Sequence, residues 1–468
     1  MRAERGRVAG ALTGGGALST LPALISALRQ FFADVRHRTW VGGSAWLLAD
    51  RGVRMGLAVL TNVVLARVLG PADFGLMAYA VALGALFLPL GTLGLERIVV
   101  RELARQSGAE ERVIGSVVGL RLLGGLLGGA LAVGVATASA DAAHRPVAAM
   151  VAFIAVGNLL QAFDVVDWAF QARGDFKHGT RARLVAFVVA ALLKIGLALA
   201  GAGLVTLAAL TAVEMFLSAA LQLLAWGRAG ASWGFDRALA RSLLVLSAPL
   251  LAGELAVWLF QKADVLILQH FAGEAAVGYY AAAQRVAQLA YFLPVLAVQV
   301  FSPRMARVTD DAAALALVQQ VTNGLVLAAY AVSFGLWVLS GLLVRGLFGA
   351  DYVPAAGLLA WLAWSNVFVF MGCAHTLYLV NRDAQKISFG LAWLTAVASV
   401  GLNLLLVPLL AARGAAIAGV GAYLLTTVFG VALFAGSRPL LAVNLRALAA
   451  PVWLVLAGLR RLRSGTPS

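Results

Sequence analysis

Leu243–His270, LLVLSAPLLAGELAVWLFQKADVLILQH, is apolar and long enough to cross a membrane as a helix, yet it carries Glu254, Lys262 and Asp264. A hydrocarbon core is spanned by about 20 residues of helix. A charge at that depth costs roughly 2.5–3.5 kcal/mol on insertion scales, so a span with three of them faces something other than lipid. Outward from this stretch, similar windows recur at Ser44 to Leu69, Phe74 to Glu96, Val113 to Ala136, Val147 to Phe170, Leu184 to Gly201, Leu204 to Trp226, Val277 to Phe301, Val321 to Val344, Pro354 to Val380, Ile387 to Leu409 and Ala416 to Phe434. With 62% hydrophobic residues and a mean hydropathy of +0.91, the composition is far from that of a soluble globular protein. The expected fold class is an all-α polytopic membrane protein of about twelve transmembrane helices.

A net charge of +15 raises the question of nucleic acid, but the positions of the charges answer it differently. With a cytoplasmic N-terminus, the even-numbered turns and both tails hold 26 of the 36 Lys and Arg residues, among them Arg97 to Arg112, Arg173 to Arg183 and Arg228 to Arg241. The other side holds Arg145, Arg345 and Arg413, with Arg67 at its edge. This is the positive-inside asymmetry of an even number of spans with both termini cytoplasmic. No basic stripe with interleaved aromatics is present, so no nucleic-acid partner is expected. Arg2, Arg5 and Arg7 ahead of the uncharged run Val8 to Leu28 resemble a signal peptide superficially. Crossing or cleavage there would place Arg29, Arg36 and Arg38 outside and invert every later loop. Residues 1–43 therefore read as a cytoplasmic or interfacial extension. Cys373, the single cysteine, excludes a disulfide framework, and neither a metal nor a cofactor is expected.

The chain divides in the polar connection from Trp226 to Arg241, giving bundles at 44–240 and 241–436 and a basic tail at 437–468. The bundles resemble each other. At an offset of 203, Ser44 falls on Ser247, Gly70 on Gly273, Ala72 on Ala275, Gly75 on Gly278, Ala78 on Ala281 and Ala80 on Ala283. Six spans separate the copies, so both have the same orientation and any two-fold axis runs along the membrane normal.

The run Leu65 to Ala80, LARVLGPADFGLMAYA, followed by Gly94 to Arg105, GLERIVVRELAR, resembles the polysaccharide-exporter, or O-antigen flippase, branch of the multidrug, oligosaccharidyl-lipid and polysaccharide transporter superfamily. The second half has counterparts in KADVLI (Lys262 to Ile267), VGYYAAAQR (Val277 to Arg285) and LPVLAVQVFSPRMAR (Leu293 to Arg307). Many members carry fourteen spans, where this chain reads as twelve. The resemblance implies a 6+6 bundle with a central cavity in a bacterial inner membrane. It implies a flippase carrying an undecaprenyl-pyrophosphate-linked oligosaccharide toward the periplasm, with membrane lipids and a polysaccharide polymerase machinery as partners.

A polar cavity is expected from the residues independently of that resemblance. Twelve charged side chains lie at membrane depth, six of them basic and concentrated on the first, seventh and eighth spans. Arg51, Arg54, Lys262 and Arg285, with Arg121 as a weaker member, are the candidates for binding a pyrophosphate: Arg presents a bidentate fork to phosphate oxygens and Lys a point charge. Asp50, Asp164, Asp167, Glu254 and Asp264 lie beside or between cations and are the candidates for coupling transport to H+ or Na+. Lys194 with Glu214 reads as an internal pair, and His375 as a packed, hydrogen-bonded histidine. Other classes compete. A cation-coupled multidrug exporter calls for an acidic or apolar cavity, a peptidoglycan-precursor flippase shares the headgroup, and a membrane polymerase or glycosyltransferase calls for larger outer loops than these.

Overall fold

The computed structural model describes residues 41–105, 110–138, 145–228, 233–382 and 384–451, and their side chains except at 41–51, 104–105, 145, 176–178 and 228. Most of the N-terminal extension and the end of the basic tail lie outside the described residues, as do the side chains of Asp50 and Arg51. Elements run α1 (Val41–Leu86), α2 (Leu88–Thr92), α3 (Glu96–Arg105), α4 (Glu110–Ala138), α5 (Arg145–Leu160), α6 (Val165–Ala172), α7 (Phe176–Leu199), α8 (Leu204–Arg228), α9 (Arg237–Gln288), α10 (Phe292–Met305), α11 (Asp311–Phe348), α12 (Ala355–Leu362), α13 (Ser365–Asn381), α14 (Gln385–Tyr423) and α15 (Arg438–Leu448). All regular structure among the described residues is helical, the arrangement that satisfies backbone groups within each segment in a medium without water.

Nine stretches of helix among the described residues are long and apolar enough to cross a membrane. Three of them, α1, α9 and α14, break helical geometry at Gly70, Gly273 and Ala411 and double back there. The reversal is visible in the contacts. Tyr280 donates a hydrogen bond to Asp264 across the Gly273 turn. The leucine side chain of Leu394 packs at Gly430 across the Ala411 turn, and Ala58 and Val81 line one pocket across the Gly70 turn. Three doubled helices among nine make twelve crossings. Gly70 (φ 75°) and Gly273 (φ 77°) adopt a conformation that side chains with a Cβ rarely occupy, which explains glycine at these two turns. The fourth span is a composite: a 3-10 turn at Gln161–Asp164 separates α5 from α6.

The turn glycines stand at the offset of 203, and so do the contacts that join the two bundles. A Cβ on Gly75 would strike the carbonyl oxygen of Glu274, and one on Gly278 would strike that of Pro71. Pro71 and Glu274 are themselves equivalent positions, so this is a reciprocal contact about a two-fold axis, in which each half offers the same patch to the other. Two residues reinforce it with asymmetric bonds. Arg67 donates through Nε to Leu347 O at 2.6 Å and through Nη2 to Gly346 O, capping the last turn of α11, and Tyr352 donates to Ala66 O at 3.0 Å. At the opposite end the bundles meet where Thr92 donates to Glu254 Oε2 at 2.6 Å and Gly94 abuts Leu250.

Two short amphipathic helices complete the bundles. α3 buries Ile98, Val99 and Leu103 and exposes Arg97 and Arg101. α15 buries Leu440, Val443, Asn444 and Ala447 against the C-terminal bundle, so the beginning of the tail is part of the fold. Asn444 holds it there: it donates to Thr427 O at 2.9 Å, within the π-helical turn Leu424–Phe429, and accepts from His375 at 2.7 Å. His375 is thus a buried, hydrogen-bonded histidine.

Candidate functional site

The two arms of α9 carry the cations at issue. Gly278 and Arg285 are seven residues apart, two helical turns, and share a face. Gly278 touches the N-terminal bundle, so Arg285 is directed to the same side, between the bundles. Arg285 keeps accessible surface although protein encloses it on most sides, as a side chain on the wall of a cleft does. Lys262, half-buried on the other arm, is within Coulombic range of both Arg285 and Asp264, and its Nζ lies 5.8 Å from the centre of the Trp258 ring. Neither cation forms an ion pair with a described residue.

Asp264 is two residues from Lys262 but is turned away from it by about 200° of helix. It points into the C-terminal bundle, where Oδ2 accepts from Tyr280 at 2.6 Å and Gln284 at 3.1 Å, and Oδ1 accepts from the Val265 amide at 2.7 Å. These groups belong to a cavity of about 50 Å³ bordered by Gln261, Ser365, Ser399 and Tyr423. The equivalent cavity of the N-terminal bundle, about 160 Å³, is bordered by Thr61, Met77, Val81, Lys194 and Glu214. The offset of 203 superposes Thr61 on Asp264, Met77 on Tyr280 and Val81 on Gln284. One site is therefore polar through an acid held by neutral donors. In the other, Lys194 and Glu214 stand 3.4 Å apart, as an internal pair.

The remaining candidates are distributed. Arg54 lies 5.0 Å from the centre of the Phe187 ring, beside the N-terminal cavity that Phe187 lines and apart from the pair on α9. Arg121 is buried, donates through Nε to Gly91 O at 3.2 Å and lies 4.8 Å from the centre of the Trp168 ring; Asp164, Glu96 and Glu254 are the acids whose charges reach it. Asp164 accepts from Gln222 at 3.2 Å. Asp167 is fully buried and paired with Arg183, with Gln171 donating to it at 2.6 Å. Glu254 is bonded to Thr92 across the bundles. The structure brings together Lys262 with Arg285, and Asp264 with Tyr280 and Gln284; Arg54, Arg121 and Asp167 stand elsewhere. Tyr280, Gln284 and Trp258 were not singled out from sequence as partners of these charges. The signal was present for the first: Asp264 and Tyr280 lie nine residues before and seven after Gly273, nearly mirror positions about a turn.

Residues 64–357, more than half of the chain, match the family described as polysaccharide biosynthesis protein. The chain belongs to that family. All five stretches that carried the resemblance, from Leu65 to Ala80 through Leu293 to Arg307, lie within the matched residues. The family assignment agrees with a similarity to the succinoglycan biosynthesis transport protein ExoT of Rhizobium meliloti (strain 1021), 24% identical over 385 residues, covering 78% of this chain and 74% of that protein. In fold, the chain is similar to the lipid II flippase MurJ in an inward closed conformation (TM-score 0.65, 16% identity, 87% of this chain and 91% of that one). It is also similar to an inward-facing multidrug resistance MATE transporter of the MOP superfamily (TM-score 0.59, 17% identity, 85% and 95%). The two-bundle architecture is thus the fold of those transporters, and the chain is a helical protein of the polysaccharide biosynthesis family with nine stretches of helix, among the described residues, long and apolar enough to cross a membrane.

Proposed function

We propose that this chain is a flippase that moves an undecaprenyl-pyrophosphate-linked oligosaccharide across the bacterial inner membrane by alternating access between its two bundles. The observation that carries this is Lys262 within Coulombic range of Arg285, two cations at membrane depth that form no ion pair among the described residues, on the side of the C-terminal bundle that meets its twin. Paired structural charges neutralise one another. Unpaired ones leave a positive potential that a diphosphate satisfies, through a bidentate contact at Arg285 and a point charge at Lys262. Arg51 and Arg54 are proposed to add positive charge on the N-terminal side of the path, and Arg121, buried against Trp168 and bonded to Gly91 O, to act only through its field. The succinoglycan transport relative supports a surface polysaccharide as the destination, with the polymerase machinery downstream. Deleting the gene and analysing the lipid-linked glycans of the cytoplasmic leaflet tests the reading: accumulation of one undecaprenyl-pyrophosphate glycan is expected, and an unchanged lipid profile with loss of drug efflux refutes it.

The orientation belongs to the same proposal, with both termini cytoplasmic and the Gly70 and Gly273 turns periplasmic. A reporter fused after Arg145 is expected to be periplasmic, and reporters fused after Arg105 or Arg241 cytoplasmic; a cytoplasmic signal at Arg145 contradicts it.

Outward movement of a charged headgroup calls for a driving force, and H+ or Na+ is the coupling ion proposed. Asp50, Asp164, Asp167, Glu254 and Asp264 are its candidate sites. Asp264 is foremost, because it lies in a cavity among neutral donors instead of in an ion pair. Asp264→Asn is expected to abolish the dependence of flipping on an imposed pH or sodium gradient in vesicles, and Asp167→Asn to act mainly by weakening its pair with Arg183. Retention of gradient dependence by all five amide variants removes the coupling idea and leaves the flippase intact.

A further inference from the structure

A diphosphate held by Lys262 and Arg285 is joined to its first sugar through a single bridging oxygen, so that sugar must lie against whatever surrounds the two cations. One turn before Lys262 on α9, on the same side of the helix, stands Trp258, half-buried. One turn earlier again is Glu254, whose Oε2 is taken by Thr92. The stripe Glu254, Trp258, Lys262 therefore runs from the inter-bundle contact to the cation pair.

The Lys262 ammonium lies 5.8 Å from the centre of the indole ring, near the outer limit of a cation–π contact. Such a contact is weaker than a charge-assisted bond to phosphate. A diphosphate therefore draws the ammonium off the ring and leaves an apolar, electron-rich face open beside itself. The axial C–H groups of a pyranose are the natural complement of such a face, because they carry partial positive charge and exclude water on contact. Glu254 Oε1, for which no hydrogen bond is made among the described residues, belongs to the same stripe and is available as an acceptor for a sugar hydroxyl.

From this exchange we infer that Trp258 is the platform for the sugar attached directly to the pyrophosphate, and so a residue that sets which lipid-linked glycan the protein accepts. This rests on the flippase reading of Lys262 and Arg285. It assigns the two halves of the substrate to separate groups: the cations read the diphosphate, which every undecaprenyl-pyrophosphate-linked intermediate shares, and the indole reads the sugar, which differs among them.

The full chain in nanodiscs, titrated with undecaprenyl pyrophosphate and with undecaprenyl-pyrophosphoryl-glucose, tests the assignment. The wild-type protein is expected to bind the sugar-linked probe about tenfold more tightly than the bare diphosphate, the scale of one well-packed aromatic contact. Trp258→Ala is expected to erase that difference while leaving the bare probe unchanged, Trp258→Phe to retain most of it, and Lys262→Ala to weaken both probes by the same factor. Equal weakening of both probes by Trp258→Ala makes the indole a prop for Lys262 and overturns the inference, as does equal binding of both probes by the wild-type chain; in either case the flippase reading stands. Binding of neither probe by the wild-type chain overturns both.

Discussion

Lys262→Ala and Arg285→Ala are each expected to lower export of surface polysaccharide about 10- to 100-fold in a complemented deletion strain, with protein level and topology unchanged. A hydrogen bond to a charged group contributes on the order of 1.5–3 kcal/mol, and each 1.4 kcal/mol is a factor of ten. Neither cation has an ion-pair partner among the described residues, and Asp264, the buried acid within Coulombic range of Lys262, keeps its hydrogen bonds from Tyr280, Gln284 and the Val265 amide in either variant. Loss of export with normal folding is the signature of a ligand contact. Arg285→Lys should be more harmful than Lys262→Arg, because lysine cannot reproduce the guanidinium fork while arginine keeps a point charge. Asp167→Ala differs in kind. Its pair with Arg183 is buried on the acidic side, and removing it leaves the Gln171 amide and the partly exposed Arg183 without their acceptor, at a cost of about 1–3 kcal/mol. Its effect should appear as reduced protein level. Full export by the Lys262→Ala, Arg285→Ala double variant would exclude these cations from the substrate path.

Gly75→Val and Gly278→Val are each expected to separate the bundles at the end of the Gly70 and Gly273 turns and to abolish export. The added atoms would meet backbone oxygens of Glu274 and Pro71, which have no rotamer through which to yield, so the helices themselves must part. Overpacking of this kind costs roughly 1–3 kcal/mol even where side chains relax. Two conformations of a transporter differ by only a few kcal/mol, so the closed arrangement at this end should become the minor one. Spin labels at Ala72 and Ala275, exposed and equivalent positions beside the contact, read the outcome. Their distance should lengthen in either variant, and Arg67→Ala, which removes the cap on α11, should lengthen it less. An unchanged distance with normal export would mean that this contact does not gate the cleft.

Hydropathy found the crossings, because a membrane segment must bury its own backbone and cover itself with apolar side chains whatever its neighbours are. It divided α1, α9 and α14 correctly into six spans because hydropathy drops at each turn, at Gly70 and Gly273 in the first two and beside Arg413 in the third. It also placed Gly75 on Gly278, which the structure shows to be the reciprocal contact of the two bundles. The internal pair Lys194–Glu214 was legible for a related reason: two opposite charges on adjacent short spans have few other partners. The site was legible only as an inventory. Arg54 and Lys262 carry the same charge within apolar spans, and nothing in their spacing distinguishes a residue against Phe187 from one within Coulombic range of Arg285.

The sequence by itself determined that the chain lives in a membrane, that it crosses twelve times in two like halves, and that cations lie at depth within it. These properties follow from composition, period and the backbone freedom of particular glycines, all of which are local. Only the tertiary structure decided which charges meet. Helical periodicity defines the face of a residue relative to its own axis, whereas the rotation of that axis is set by packing against neighbouring helices. That rotation turns Asp264 toward Tyr280 inside one bundle and leaves Lys262, two residues away, beside Arg285 and Trp258.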